Sequence, residues 1–434
     1  METIVIVGGG AGGLELATRL GNQLGRSKRA KIVLIDRAPT HFWKPLLHEV
    51  ASGTIDPGMH QIEYAAQAAD HHFQFVRGEM ICLDRFKHTI EVNAYSPQDG
   101  CEALLKRHIH YDKLVLALGA VTNFFNVQGA AAHSLTLDTV HQAEFFRKRF
   151  IMSCMQASSR RATGELPDPA VNIVIVGGGA TGVELAAELC HTVRSLAEYN
   201  VHSVEASQAV RIRLLESGER LLPHLNSELS QSAAAHLRRL GVQVCTTTTV
   251  VGVDADSVHD SSGRRHDSNI TVWVAGVEGQ NICTRLGLSL NKAKQILVNN
   301  SLQTDLDPHV FAIGDCSSYV CPVRGRAVPP RAQVAHQQAL FLARVLGRPG
   351  RDTLPHFRYR DYGSLVSIGK FAAVGVLMGA FWRRELLVGG RIARLLYQLL
   401  YQKHVLSLHG FSRMAVQMLA HWIRTKVTPP VKLH

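Results

Sequence analysis

Ile4–Val5–Ile6–Val7–Gly8–Gly9–Gly10–Ala11–Gly12–Gly13–Leu14–Glu15–Leu16 decides how this chain is read, because the pattern returns as Ile173–Val174–Ile175–Val176–Gly177–Gly178–Gly179–Ala180–Thr181–Gly182–Val183–Glu184–Leu185. Each copy predicts a short buried strand, a Gly-rich turn and a helix. Gly8 and Gly177 allow the tight turn, since a residue without Cβ carries no steric cost at positive φ. Gly10 and Gly179 admit a pyrophosphate close to the backbone, while Gly13 and Gly182 let the helix pack against its strand. Free N–H groups and the dipole at the helix start then favour phosphate charge. A lone G-x-G-x-x-G is weak evidence. With a strand before it and a helix after it, twice over, it reads as a dinucleotide-binding fingerprint. Two bound dinucleotides in one chain point to electrons passing between them.

An acidic residue should end the second strand of each unit and accept hydrogen bonds from a ribose. Lys31–Ile32–Val33–Leu34–Ile35–Asp36 supplies Asp36, and Arg211–Ile212–Arg213–Leu214–Leu215–Glu216 supplies Glu216. The second interval is longer than usual, so residues of about 194–209 are expected to form an extended helix or loop. Either acid could also be an ordinary surface carboxylate at a strand end. A carboxylate at Glu216 repels the extra phosphate of NADPH and so favours NADH, with Arg220 close by as the counter-argument.

A chain of 434 residues should hold two or three domains. An apolar share of 46% with 19% charged residues describes a folded protein, not a disordered one. The first strand begins at Thr3, which leaves no room for a signal peptide. Eight cysteines without a framework suit a reducing compartment. Cys316 and Cys321 have the C-x₄-C spacing of some flavin disulfide reductases, but lie far from the first fingerprint. They are read as ordinary thiols. His71–His72 and His108/His110 lack metal-site spacing and are read as surface residues. The net charge of +12 asks for an acidic partner, yet no nucleic-acid-binding module is present.

After Glu385 the chain carries no Asp or Glu, but does carry Arg391, Arg394, Lys403, Arg413, Arg424, Lys426 and Lys432. Ile392, Leu395, Leu396, Leu399 and Leu400 recur at helical spacing, with Arg391, Arg394 and Gln398 opposite. Gly410 interrupts, and Phe411, Met414, Ala415, Met418, Leu419 and Trp422 repeat the pattern with Arg413, Gln417 and Arg424 on the polar side. Such stripes usually pack on a protein's own core. Basic polar faces without acids instead favour an anionic membrane surface. The longest apolar run, Phe371 to Trp382, is only about twelve residues, against roughly 18 for a span. The expectation is a chain that lies on a membrane without crossing it.

Tyr111–Asp112–Lys113–Leu114–Val115–Leu116–Ala117–Leu118–Gly119 and Thr271–Val272–Trp273–Val274–Ala275–Gly276 each read as a buried strand ending at Gly. Thr304–Asp305–Leu306–Asp307–Pro308–His309–Val310–Phe311–Ala312–Ile313–Gly314–Asp315 reads as a late strand returning to the first domain, with Asp315 placed for a ribityl hydroxyl. The expected organisation is a discontinuous first domain (1–140 and 285–350), an inserted second (165–284) and a membrane-association region (351–434). Pro329–Pro330–Arg331 should precede a helix beginning Ala332–Gln333–Val334–Ala335–His336–Gln337.

Taken with Trp43–Lys44–Pro45–Leu46–Leu47–His48–Glu49–Val50–Ala51 and the basic tail, these motifs resemble type II NADH dehydrogenase, the single-subunit bacterial NADH:quinone oxidoreductase, over essentially the whole chain. The fold class is α/β: two Rossmann-like dinucleotide-binding domains, the two-dinucleotide-binding flavoprotein fold, plus a C-terminal amphipathic-helix region. The resemblance implies non-covalent FAD held through Gly8, Gly10, Gly13, Asp36, Lys44, Gly119 and Asp315, and NADH through Gly177, Gly179, Gly182 and Glu216. It places Glu184 near the nicotinamide and flavin, where the bland reading is a helix acid stabilised by the dipole. It places Gln333 and Gln337 beside the quinone, where the bland reading is helix-face amides, and brings Lys370 near the quinone channel. The implied reaction oxidises NADH and reduces a membrane quinone without pumping protons. It runs at the cytoplasmic face of the inner membrane, with homodimerisation open. Three readings compete: a sulfide:quinone oxidoreductase, which needs cysteines near the flavin, a reductase of a protein carrier, and a flavin-bearing redox sensor.

Overall fold

The computed structural model describes residues 1–93, 105–163, 170–198, 210–323, 325–348, 354–368, 373–378, 385–389, 396, 399–408, 410 and 415–416. The chain forms two compact units. The first comprises Met1–Trp43, His60–Val121 and Val277–Arg360, and the second Lys44–Met59, Thr122–Gly276 and Asp361–His434.

In the first unit a parallel five-stranded sheet runs in the order Val310–Ala312, Lys113–Leu116, Glu2–Val7, Ala30–Asp36, Gln74–Arg77. Ile4 is in register with Ile32 on one side and Lys113 on the other. A parallel pair needs a crossover, and the helix Ala11–Leu20 provides the first one. The central strand is apolar at consecutive positions because both faces of the sheet are covered, so Ile4, Val5 and Ile6 are fully buried. The late strand Val310–Ala312 pairs with Lys113–Leu116, which makes this unit discontinuous in sequence. The helix Ala332–Leu346 follows Pro329–Pro330 and packs against Ala11–Leu20. Gly12 permits that approach, since a Cβ there would lie 3.1 Å from the Ala335 carbonyl oxygen.

The second unit repeats the plan with Ser134–Leu135, Ile270–Trp273, Val171–Val176, Val210–Leu215 and Gln243–Cys245, all paired in parallel. The helix Ala180–Glu198 follows the central strand; of the long interval before Val210, residues 199–209 lie outside the described ones. The helix Ser227–Leu240 starts at Asn226, whose side chain accepts from the Leu229 N–H, and stops at Gly241 with φ +98°.

The C-terminal part is more than a pair of helices. Gly363–Ser367, Ala373–Met378 and Glu385–Gly389 form an antiparallel sheet, so the apolar run from Phe371 contributes a strand. Residues 399–408 are helical, with His404, Val405 and Leu408 buried and Leu399, Leu400 and Leu406 exposed. Lys370, Arg391 to Leu395 and Gln398 lie outside the described residues, as does the expected second helix from Phe411 to Trp422, apart from Ala415 and Val416.

Candidate functional site

The two Gly-rich loops have matching geometry. Gly8 leaves its strand at φ +104° and Gly177 at φ +116°, conformations that exclude a side chain without strain. The Gly8 N–H donates to the Ile35 carbonyl and the Gly177 N–H to that of Leu215, both at 2.8 Å, stitching each loop to the neighbouring strand. Cβ atoms at Gly13 and Gly182 would collide with the carbonyl oxygens of Gly8 and Gly177, so the third fingerprint glycine closes on the first. A Cβ at Gly10 or Gly179 would meet nothing within 4 Å, which leaves open space over each helix N-terminus where a pyrophosphate fits.

Each acid turns its carboxylate back to its own loop. Asp36 accepts the Gly9 N–H at 2.6 Å and the Ala38 N–H at 2.8 Å. Glu216 accepts the Gly178 N–H at 2.6 Å and the Gly218 N–H at 2.7 Å. A carboxylate offers about four acceptor positions, enough for two amides together with ribose hydroxyls. These acids hold the loops in shape.

In the first unit, Asp36 ends its strand, and Gly8, Gly119 and Asp315 follow the carboxyl ends of the neighbouring parallel strands, the edge at which open α/β sheets bind ligands. Gly119 takes φ +72° and Gly314 φ +71°. Gln280 donates to the Leu118 carbonyl, Gln338 accepts the Gly314 N–H at 2.7 Å, and Gln295 donates to the Asp315 carbonyl at 2.9 Å. Lys44 is exposed at the start of the turn Lys44–Leu46 and belongs to the second unit.

Gln333 and Gln337 lie in the first unit, on the helix Ala332–Leu346. The Gln337 amide donates to the Arg360 carbonyl at 2.7 Å and accepts the Arg360 N–H at 3.0 Å, pinning the segment after the helix. Between the two glutamines, His336 Nδ1 lies 2.6 Å from the fully buried Glu15 carboxylate, which also pairs with Arg19 at 2.8 Å. Glu184 lies in the second unit, just past the first turn of its helix. Its buried carboxylate accepts the Ser367 N–H at 3.0 Å and faces His48 Nδ1 at 3.4 Å, so specific partners hold it rather than the dipole alone.

Tyr64, His41, Gln338, His48 and Ser367 are partners that the sequence did not single out. Tyr64 Oη donates to the Gly9 carbonyl at 2.8 Å, and His41 Nδ1 reaches the same oxygen at 2.9 Å. Burial pushes the Tyr64 phenol well above its usual range, with the Asp36 charge adding, so the hydroxyl keeps its proton. The available signal was glycine at Gly9 and Gly178, the free position of G-x-G: a Cβ at Gly9 would run into the Tyr64 ring. Cys316 and Cys321 are buried free thiols, and burial pushes the Cys316 thiol up to about 12. Among the described residues no His, Cys, Asp and Glu cluster could hold a metal ion.

The pyridine nucleotide-disulphide oxidoreductase family matches residues 2–339. The type II NADH:quinone oxidoreductase of Haemophilus influenzae is 38% identical over 446 aligned positions, covering 100% of both chains. The structure of NDH2 from Plasmodium falciparum in complex with NADH superposes with a TM-score of 0.83 at 20% identity, over 99% of this chain and 100% of that one. The sulfide:quinone oxidoreductase of Aquifex aeolicus superposes with a TM-score of 0.70 at 18% identity, over 99% and 96%. At those identities the two structures speak for the fold alone.

Proposed function

Since this chain belongs to the type II NADH:quinone oxidoreductases, within the pyridine nucleotide-disulphide oxidoreductase family, we propose that it is a respiratory flavoenzyme that oxidises NADH and reduces a membrane quinone without pumping protons. The observation that carries the reading is the doubled loop: two open helix N-termini, each with a carboxylate bound to its own glycine amide. A sulfide:quinone oxidoreductase shares the fold, but its chemistry has no use for a second intact nucleotide loop with Glu216.

The first unit (Met1–Trp43, His60–Val121 and Val277–Arg360) takes non-covalent FAD, and the second unit, through its loop at Gly177–Gly182, takes NADH; both depart from the expected bounds of 1–140 with 285–350 and of 165–284. FAD held there would supply the two-electron relay between NADH and the quinone, whose reduction also takes up two protons. The protein's part is to hold and align. Gly10 and Gly179 admit the pyrophosphates, Asp36 and Glu216 take the adenosine riboses, and Asp315, with Gly119, supports the flavin side. Glu184 is a buried carboxylate held by the Ser367 N–H and facing His48, suited to keeping or passing a proton beside the nucleotide of its own unit. Gln333 and Gln337 line the quinone position.

No helix among the described residues is long and apolar enough to cross a membrane. The acid-free tail and the outward leucines of 399–408 support attachment of region 351–434 to an anionic bilayer, at the cytoplasmic face of the inner membrane. An anaerobic titration tests the core of the reading. NADH should bleach the flavin absorbance, and a short-chain ubiquinone should restore it at once. Bleaching without recovery would move the acceptor to a protein carrier; no bleaching would reject the NADH assignment.

A further inference from the structure

The two loops share one sequence pattern and one acid contact but differ in how the carbonyl of the middle glycine is held. In the first unit the Gly9 oxygen accepts from two side chains, Tyr64 Oη at 2.8 Å and His41 Nδ1 at 2.9 Å. Both donors are almost fully buried, at 3% and 2% exposure, so water does not compete for them. They come from separate elements, the strand Thr40–Phe42 and the helix Tyr64–Asp70. In the second unit the Gly178 oxygen accepts from the Leu222 backbone N–H at 2.8 Å. Leu222 sits at φ +50°, a left-handed conformation that a leucine adopts only under strain, in the loop that follows Glu216.

That carbonyl matters because the peptide group is planar and trans. Fixing the Gly9 oxygen therefore fixes the opposite pole of the same peptide, the Gly10 N–H, which opens the helix where the phosphate is to sit. The Gly9 N–H is in turn fixed by Asp36. The peptides on both sides of Gly9 are thus immobilised before any ligand arrives. The Tyr64 ring also occupies the space where a Gly9 side chain would go, so loop and clamp require each other.

We propose that Tyr64 and His41 are positioning residues of the flavin site, and that this side-chain clamp makes the first loop retain its dinucleotide while the second, tied through a backbone N–H on a strained loop, lets its own exchange. The inference rests on the assignment of FAD to the first unit and NADH to the second. It accounts for how two nearly identical fingerprints serve a resident cofactor and a substrate that must leave at each turnover. A preformed loop pays no ordering cost on binding, and that advantage shows mainly in the rate of release.

The test uses the full-length flavin-loaded protein and the variants Tyr64→Phe, His41→Leu and their combination. FAD release is followed by the rise of free-flavin fluorescence after dilution. Affinity of the NADH site is measured separately by titrating the oxidised protein with NAD+, which does not react with the flavin, and thermal stability by far-UV circular dichroism. Loss of one buried hydrogen bond should speed FAD release by about three- to tenfold, more in the double variant, with NAD+ affinity unchanged. Tyr64→Phe keeps the ring and so the fold; if only His41→Leu melts early, Tyr64→Phe alone decides. Release at the parental rate in Tyr64→Phe, or equal weakening of FAD and NAD+ binding, would overturn the clamp. Asp36→Asn and Glu216→Gln serve as markers of the site assignment. If flavin release responds to Glu216→Gln and not to Asp36→Asn, the assignment itself fails and the clamp with it. If it responds to Asp36→Asn but not to Tyr64→Phe, the assignment stands and only the clamp is lost.

Discussion

Glu216 holds two amides of its own loop, those of Gly178 and Gly218, and is proposed to hold a ribose as well, so its substitutions separate structure from recognition. Glu216→Gln keeps the volume and one carbonyl oxygen but turns an NH₂ toward a backbone donor. A charged hydrogen bond of this kind contributes about 1.5–3 kcal/mol, so the KM for NADH should rise roughly ten- to a hundredfold. The more telling quantity is the ratio of kcat/KM between NADH and NADPH. Removing the negative charge removes the repulsion against a 2′-phosphate, and the preference should shrink as NADPH use improves relative to NADH. Steady-state kinetics with both nucleotides would settle the matter. A preference that survives Glu216→Gln unchanged, with a lowered melting temperature, would leave the acid a structural role only.

The helix at 399–408 presents two apolar faces, and only one of them is buried. His404, Val405 and Leu408 turn inward, while Leu399, Leu400 and Leu406 stay 49%, 50% and 40% exposed with Lys403 between them. Removing everything after residue 384 would also delete Glu385–Gly389, a strand of the C-terminal sheet, and so would confuse folding with attachment. Replacing Leu399, Leu400 and Leu406 by Glu leaves the inward face alone. The triple variant should keep its flavin and its reduction by NADH, yet stay in the supernatant when sedimented with anionic vesicles. Pelleting as strongly as the parent would locate the attachment elsewhere. The leucine spacing was legible in the sequence; the second, buried face was not, because His404 gives no apolar signal. The strand Ala373–Met378 was hidden for a related reason, since Ala-Val-Gly-Val-Leu-Met lacks the polar alternation that marks a half-exposed strand. By contrast, both glycine loops were plain, because turn, strand and acid are local and each glycine has its own steric cause. Tyr64 and His41 lie outside the fingerprint and meet Gly9 only once the sheet has formed, so no spacing rule could reach them.

Across the molecule, buried thiols place a pH sensor in each compact unit. Burial raises Cys316 to about 12 and Cys283 to about 11 in the first unit, and Cys154 and Cys190 to about 12 in the second. The ordinary value for a thiol is 9.0. Below that value neither state is ionised, and the thiols make no pH-dependent contribution. Above it the unfolded chain loses protons that the folded chain keeps, so the unfolded state binds fewer protons and stability falls as pH rises. Tyrosines and lysines titrate in the same range, so the useful quantity is the difference between parent and variant. Cys316→Ala should flatten the alkaline decline for whatever melts with the first unit, and Cys154→Ala for whatever melts with the second. Calorimetry from pH 8 to pH 10.5 would show one transition, flattened by either variant, if the units unfold together. Two transitions, each answering to only one variant, would mean that they unfold as separate cooperative bodies. A decline untouched by both substitutions would show that these thiols already ionise in the folded protein. That outcome would contradict their burial, and with it the reading of Cys316 as an inert thiol rather than half of a redox pair.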